Sequence, residues 1–295
     1  MSSNTSTPSA KAIALLLILS IIWGTTFILI KQGLKVFNPQ EVGALRVSLA
    51  ALMFLPIALV RLRELNRGDH FKLFASGLMG IFIPAFLFAI AQQHLNSSLA
   101  GILNTLSPVW TMIIGAAVFS QRFRPITIIG IAISFVGTLL LALTRSGNDA
   151  VSFNSYALLI VFACALYGAN LNWLKFKVHN LSSMTIISVS LLLVGPVAIV
   201  YLLAGTPFLN TIQTTPGAWN AFGFIFLLAL MSTAVANLLF YKLLQISSPL
   251  FASSVTYIMP LVAVTWGLLD GEHFTLGHLT GMVCIIGGVY LANRR

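Results

Sequence analysis

Charge is scarce in this sequence: only 7% of its 295 residues are charged, against about 25% in an ordinary soluble domain. Too little polar side chain remains to cover a water-facing surface, which excludes a soluble fold. The six acidic residues all lie in loops or near predicted helix ends, leaving no deep carboxylate pair for acid–base chemistry. The two cysteines, Cys164 and Cys284, fall inside apolar runs and read as small buried hydrophobes rather than a disulfide or thiolate metal site. No set of histidine, cysteine and carboxylate has metal-ligand spacing, and no glycine-rich phosphate loop is present. No cofactor is expected, and a membrane enzyme is disfavoured. The net charge of +10 would raise nucleic acid as a partner, but no basic, aromatic-interleaved face exists to follow a phosphate backbone.

Apolar sequence is what abounds, at 58% hydrophobic with a mean hydropathy of +0.97. A spanning helix needs about 20 mostly apolar residues. That rule places helices near 12–30, 41–60, 73–93, 99–119 and 125–144, then 155–174, 184–204, 218–241, 249–268 and 277–293. The fold class is therefore an all-α membrane protein of ten transmembrane helices. Residues 1–11 read as a disordered N-terminus, 12–144 and 155–295 as two five-helix repeats, and 145–154 as an outer linker. The run from Ala12 to Ile30 is too long for a signal-peptide core and reads as a retained first helix. With the N-terminus in the cytoplasm, twelve Lys and Arg fall on the inner side and three (Lys31, Lys35, Arg145) on the outer; Arg46 lies within a helix. This four-to-one bias places both termini inside. The outer loop Gly205 to Gly217 carries no charge.

The two halves resemble each other. An offset of 152 pairs Phe88 with Phe240, Gln93 with Gln245, Ala100 with Ala252, Pro108 with Pro260 and Gly115 with Gly267. An offset of 151 pairs Phe123 with Phe274, Gly130 with Gly281 and Gly137 with Gly288; an offset of 144 pairs Lys31 with Lys175. Five helices is an odd number, so the second half enters from the opposite side and the repeat is inverted. Pro108 and Pro260 are expected to kink matched helices, because proline cannot bond the carbonyl four residues earlier. Those carbonyls, at Asn104 and Thr256, then need protein or a water-filled cavity, since lipid cannot satisfy them.

Trp23-Gly24 with Phe27 and Lys31, then Pro39, Glu41 and Arg46, carry a resemblance to the EamA family of the drug/metabolite transporter superfamily. Further along, so do Pro108-Val109, Pro260-Leu261, Gly271-Glu272, Gly281 and Gly288, in order over nearly the whole chain. One departure is Gln121, where the family usually has Glu; at a predicted membrane edge, little consequence is expected. The resemblance implies a ten-helix inner-membrane transporter of metabolites or drugs, commonly an exporter.

Intramembrane ionisable groups are rare and usually functional. Arg46 reads either as a partner for an anionic substrate group or, as the favoured expectation, as a structural element that fixes helix packing, through an ion pair, with Glu41 the candidate partner, or by clamping backbone carbonyls. Glu41 and Lys242 are expected to reach water from helix ends. Polar stripes mark a cavity: Thr233, Asn237 and Tyr241; Asn104, Ser107 and Thr111; Tyr167 and Asn170, with Gln92 and Gln93 closing the third helix. Trp23, Trp110, Tyr167 and Tyr257 supply aromatic walls, and Thr256 the second kink carbonyl. The competing reading is that such residues only tie helices together. Glycines 77, 80, 130, 137, 287 and 288 are expected to allow close packing.

The expected function is secondary transport of a small metabolite (an amino acid, related compound or drug-like molecule) by alternating access, as an exporter. A non-transporting receptor or assembly subunit is the alternative. Proton coupling and facilitated diffusion both stay open, as does the oligomeric state.

Overall fold

The computed structural model describes residues 10–63, 65–121, 124–143, 154–178, 181–246, 255–272 and 275–293. Most of the expected N-terminal tail and of the linker lies outside these, as do Arg122, Phe123, Arg145, Ala252, His273, Phe274, Arg294 and Arg295.

In the first half, α1 (Ala10–Gly33) leads to α2 (Pro39–Leu62). A capping box starts α2: Asn38 Oδ1 accepts the Glu41 N–H at 2.8 Å, and Glu41 Oε2 accepts the Asn38 N–H at 2.8 Å. The third span is α3 (Arg67–Gly77) and α4 (Ile83–Gln92) around a π-helical segment, Leu78–Phe82. The fourth is α5 (Ser97–Leu103) and α6 (Ser107–Phe119) around a 3-10 turn, Asn104–Leu106. The fifth is α7 (Pro125–Leu143).

The second half repeats this order with α8 (Ala157–Lys177) and α9 (Ser183–Ala204). Next come α11 (Ala218–Leu227) and α12 (Ala236–Ile246) around a second π segment, Leu228–Val235, then α13 (Val255–Leu269) and α14 (Leu276–Asn293). Between α9 and α11 the uncharged segment expected as a loop contains a short helix, α10 (Phe208–Thr214). Its Phe208 ring lies 5.7 Å from Phe37, and the Thr211 hydroxyl donates to Glu41 Oε1 at 3.2 Å. Glu41 is consequently 1% exposed and does not reach water as expected. Among the described residues there is no strand. Among the described residues seven spans are long and apolar enough to cross a bilayer, and three shorter apolar stretches in α7, α13 and α14 bring the apolar helices to ten.

Packing follows the duplication. Three helices lie along their own counterparts: α2 on α9, α5 on α13, and α7 on α14. The cross-pairs match too, with α1 on α13 answered by α8 on α6. The α7/α14 contact is backbone against backbone. A β-carbon at Gly288 would sit 2.5 Å from Gly130 O and 2.6 Å from Ser134 N, and one at Gly137 2.9 Å from Gly281 O. Gly287, by contrast, has nothing within 4 Å and is not a packing glycine.

One end of the bundle, where α1 finishes, is tied by charge. Lys31 Nζ lies 2.7 Å from both Asp270 Oδ2 and Glu272 Oε1. Glu272 also accepts the Ser97 N–H and hydroxyl on Oε1 (2.9 and 2.7 Å) and the Ser98 N–H and hydroxyl on Oε2 (3.1 and 2.6 Å). A carboxylate at the first turn of α5 meets the unpaired N–H groups and positive dipole end there. Burial works against the Glu272 charge, but the bonds from Lys31, Ser98 and Ser97 outweigh it and bring its pKa from 4.5 to about 2. The Lys31 hydrogen bond likewise holds Asp270 below the usual carboxylate range.

Two outcomes are expected. Gly288→Ala lowers stability by about 1–3 kcal/mol through overpacking, whereas Gly287→Ala is neutral or stabilising; unfolding of the micelle-bound protein reads both. A carboxyl whose pKa is depressed on folding contributes stability above its unfolded value, and that contribution is lost as pH falls through the folded one. The Glu272 contribution is thus complete above 4.5 and fades toward about 2. Comparing melting temperature against pH in the wild type and Glu272→Gln isolates it: the difference between them shrinks only in that acid window.

Candidate functional site

Arg46 lies on α2, about 10 Å along the axis from Pro39. Its Nε donates to Thr233 Oγ1 at 3.4 Å, on the second π segment. Glu41, the partner expected for a structural clamp, is occupied by Asn38 and Thr211 instead. Among the described residues Arg46 has no ion pair with a carboxylate. The side chain is only partly buried, and Tyr167 on α8 is near enough to interact with it electrostatically. Charged side chains within membrane spans are costly and usually pair with one another or face a water-filled cavity. The ion-pair form of the structural reading favoured from the sequence loses its partner.

The π segment shapes what surrounds Arg46. One extra residue in the turn splays the carbonyls out of the regular i→i−4 ladder, and side chains take them up. Trp23 Nε1 donates to Ser232 O at 3.1 Å, and Asn237 Nδ2 to Thr233 O at 2.7 Å. The Thr26 and Ser232 hydroxyls meet at 2.8 Å, and the Trp23 ring lies 5.2 Å from Phe240. Trp23, Arg46, Tyr167, Thr233 and Asn237 thus gather where the two halves meet. The Tyr241 side chain, expected on the same stripe, lies outside the described residues.

On α8, the Tyr167 ring stacks on Phe88 at 6.2 Å, and Asn170 faces Gly80 in the first π segment. Asn170 Oδ1 is buried without a hydrogen-bond partner, as are both amide atoms of Gln92, one turn beyond Phe88. Buried amides are almost always satisfied in proteins, so these atoms stand out among the described residues. Gln93, by contrast, is exposed.

The α5/α6 break is used differently. Pro108 follows the 3-10 turn, as its missing N–H demands. The freed Asn104 carbonyl accepts the Ser107 hydroxyl at 2.9 Å and the Cys164 thiol at 3.8 Å. Thr111 returns its hydroxyl to Ser107 O at 2.8 Å. The Ser107 and Thr111 hydroxyls of this stripe are thus bonded to backbone carbonyls. The backbone of Trp110 and Thr111 presses on Gly168, where a β-carbon would lie 2.7 Å from Trp110 C. Pro260 is not the twin of this break: it lies inside a continuous α13. Thr256 sits in the first turn of α13, partly buried and with its own partner. The Tyr257 side chain lies outside the described residues.

Sequence reasoning missed Thr26, Ser232 and Asn172. Asn172 is buried, donates to Thr111 O at 2.8 Å and Gly168 O at 2.9 Å, and accepts from Gln121 Nε2 at 3.1 Å. It lies five residues after Tyr167, off the stripe that flagged its neighbours. Two open grooves of about 440 and 600 Å³, beside Pro56 and Pro196, are lined mainly by apolar residues of the outer surface and hold none of this chemistry.

Comparison with known proteins agrees with this geometry. The EamA-like transporter family matches residues 10–143 and again 154–294, once per half. An archaeal "Uncharacterized transporter" of Archaeoglobus fulgidus is 24% identical over 92% of this chain and 95% of its own. A Salmonella typhimurium "Probable amino-acid metabolite efflux pump" is 24% identical over 94% and 93%. The "Uncharacterized inner membrane transporter YedA" of Escherichia coli K12 is 25% identical over 86% and 81%. A solved crystal structure superposes with a TM-score of 0.62 over 97% of both chains at 15% identity, a likeness of fold. Matched in both halves, the chain belongs to the EamA-like transporter family.

Proposed function

We propose that this membrane transporter is a secondary exporter, moving a small metabolite with an anionic group, such as a carboxylate, across the inner membrane by rocking its two halves. The observation that carries this is Arg46: a cation within a membrane span, between the halves, with no carboxylate partner among the described residues. A carboxylate supplies the counter-charge and fits the planar guanidinium in a two-pronged pair. The orphaned amides of Asn170 and Gln92 offer further polar contacts to the same guest. Matched π segments on the third and eighth spans give each half a deformable element beside the site. The name carried by the Salmonella relative supports an amino-acid-like substrate. The positive-inside pattern supports cytoplasmic termini, placing the Glu272 end outside.

Flux of a metabolite panel from proteoliposomes tests the reading, with and without a proton gradient to identify coupling. Carboxylate-bearing members are expected to move, and Arg46→Met to cut their flux on the order of tenfold or more. Arg46→Lys keeps part of it, and Asn237→Trp blocks the path. Absence of flux across the panel, or normal flux in Arg46→Met, would overturn the assignment. Pro108→Ala is expected to slow transport more than Pro260→Ala, since only Pro108 sits at a helix break.

A further inference from the structure

The ends of α6 and α13 are counterparts that differ in one charge. The 151-residue offset places Ser120 opposite Gly271 and Gln121 opposite Glu272. Both helices end at a left-handed residue. Ser120 (φ 52) and Gly271 (φ 80) are left-handed, and the next N–H bonds back to a matched glycine carbonyl, Gln121 to Gly115 at 3.0 Å and Glu272 to Gly267 at 2.9 Å. From these equivalent positions the two side chains do unequal work. Glu272 binds Lys31 of α1 and four donors on Ser97 and Ser98 of α5, pinning its own half to the other. Gln121 makes one neutral bond across the halves, to Asn172 Oδ1 at 3.1 Å. Lys175, the counterpart of Lys31, is exposed, its Nζ 5.3 Å from the Phe176 ring centroid, and pairs with no carboxylate among the described residues.

We propose that these are matched latches of unequal strength, and that the neutral Gln121 biases the protein toward the conformation closed at the Glu272 end. The inference rests on the rocking motion of the proposed function. In a two-state rocker each end closes when the other opens, so the populations follow the difference between the two latches. An ionic latch with several charge-assisted bonds outweighs one amide–amide bond. With the termini in the cytoplasm, the favoured state faces inward. An exporter resting in that state waits for cargo on the side where cargo is made.

The test reads distances rather than transport, so its failure leaves the transport assignment standing. Spin labels at Gln93 and Asn210 report the Glu272 end; labels at Arg63 and Lys177 report the other. The background carries Cys164→Ser and Cys284→Ser, and the protein is held in lipid nanodiscs. All four reporter positions are exposed. In Gln121→Glu the Gln93–Asn210 distance is expected to lengthen and the Arg63–Lys177 distance to shorten, with the population ratio shifting on the order of tenfold. Adding Lys175→Met to Gln121→Glu restores the original ratio, because the new carboxylate loses its cation. Glu272→Gln, which leaves the Gln121 end untouched, shifts the ratio in the same direction as Gln121→Glu. Wild-type distance distributions in a folded Gln121→Glu or in Glu272→Gln overturn the proposal. So does a Gln121→Glu shift that survives Lys175→Met.

Discussion

Hydrocarbon offers no hydrogen-bond partner, and several departures from regular helix in this protein are answered by side chains. The carbonyl freed at the α5/α6 break takes Ser107 and Cys164. The carbonyls of the second π segment take Trp23 and Asn237. Elsewhere Trp173 caps Lys72 O at 3.0 Å, and Ser190 caps Leu73 O at 2.9 Å. Most of the polar residues in the spans are committed in this way. What distinguishes the candidate site is Arg46, which has no carboxylate partner among the described residues, and the buried polar atoms without a protein partner, Asn170 Oδ1 and both amide atoms of Gln92, with Ser48 Oγ on the second span.

The duplication sets the scaffold within which these groups matter. Helices packed on their own counterparts form an axis about which two similar halves can exchange roles. The halves are nevertheless unequal at three places. One proline breaks its helix and the other does not; one half adds α10 over the start of α2; one latch is ionic and the other neutral. In the proposed rocking motion a perfectly symmetric protein would have no preference between its two states, and such inequalities are where directionality would enter.

Much of this was legible beforehand, and the rest was not for physical reasons. Span length and apolarity located ten helices, because a bilayer imposes both. The break at Pro108 followed from a missing N–H. The two π segments left no trace, since Leu78–Phe82 and Leu228–Val235 have the mixed apolar and small residues of their neighbours, and one inserted residue changes no composition. An uncharged segment read as loop because α10 is too short to show a helical period. Arg46 stood out, but whether Glu41 neutralised it depended on Thr211, 170 residues away. Gln121 was visible as a departure, while its meaning depended on contacts at its counterpart, Glu272.

The indole of Trp23 sits on the seam between the halves, donating to a carbonyl that exists as an acceptor only because the eighth span is locally π-helical. Indole emission energy tracks the polarity and hydrogen bonding around that N–H. A motion that slid the first span past the eighth would change the surroundings of this indole and with them its emission, so the proposed rocking carries an optical gauge within the seam itself.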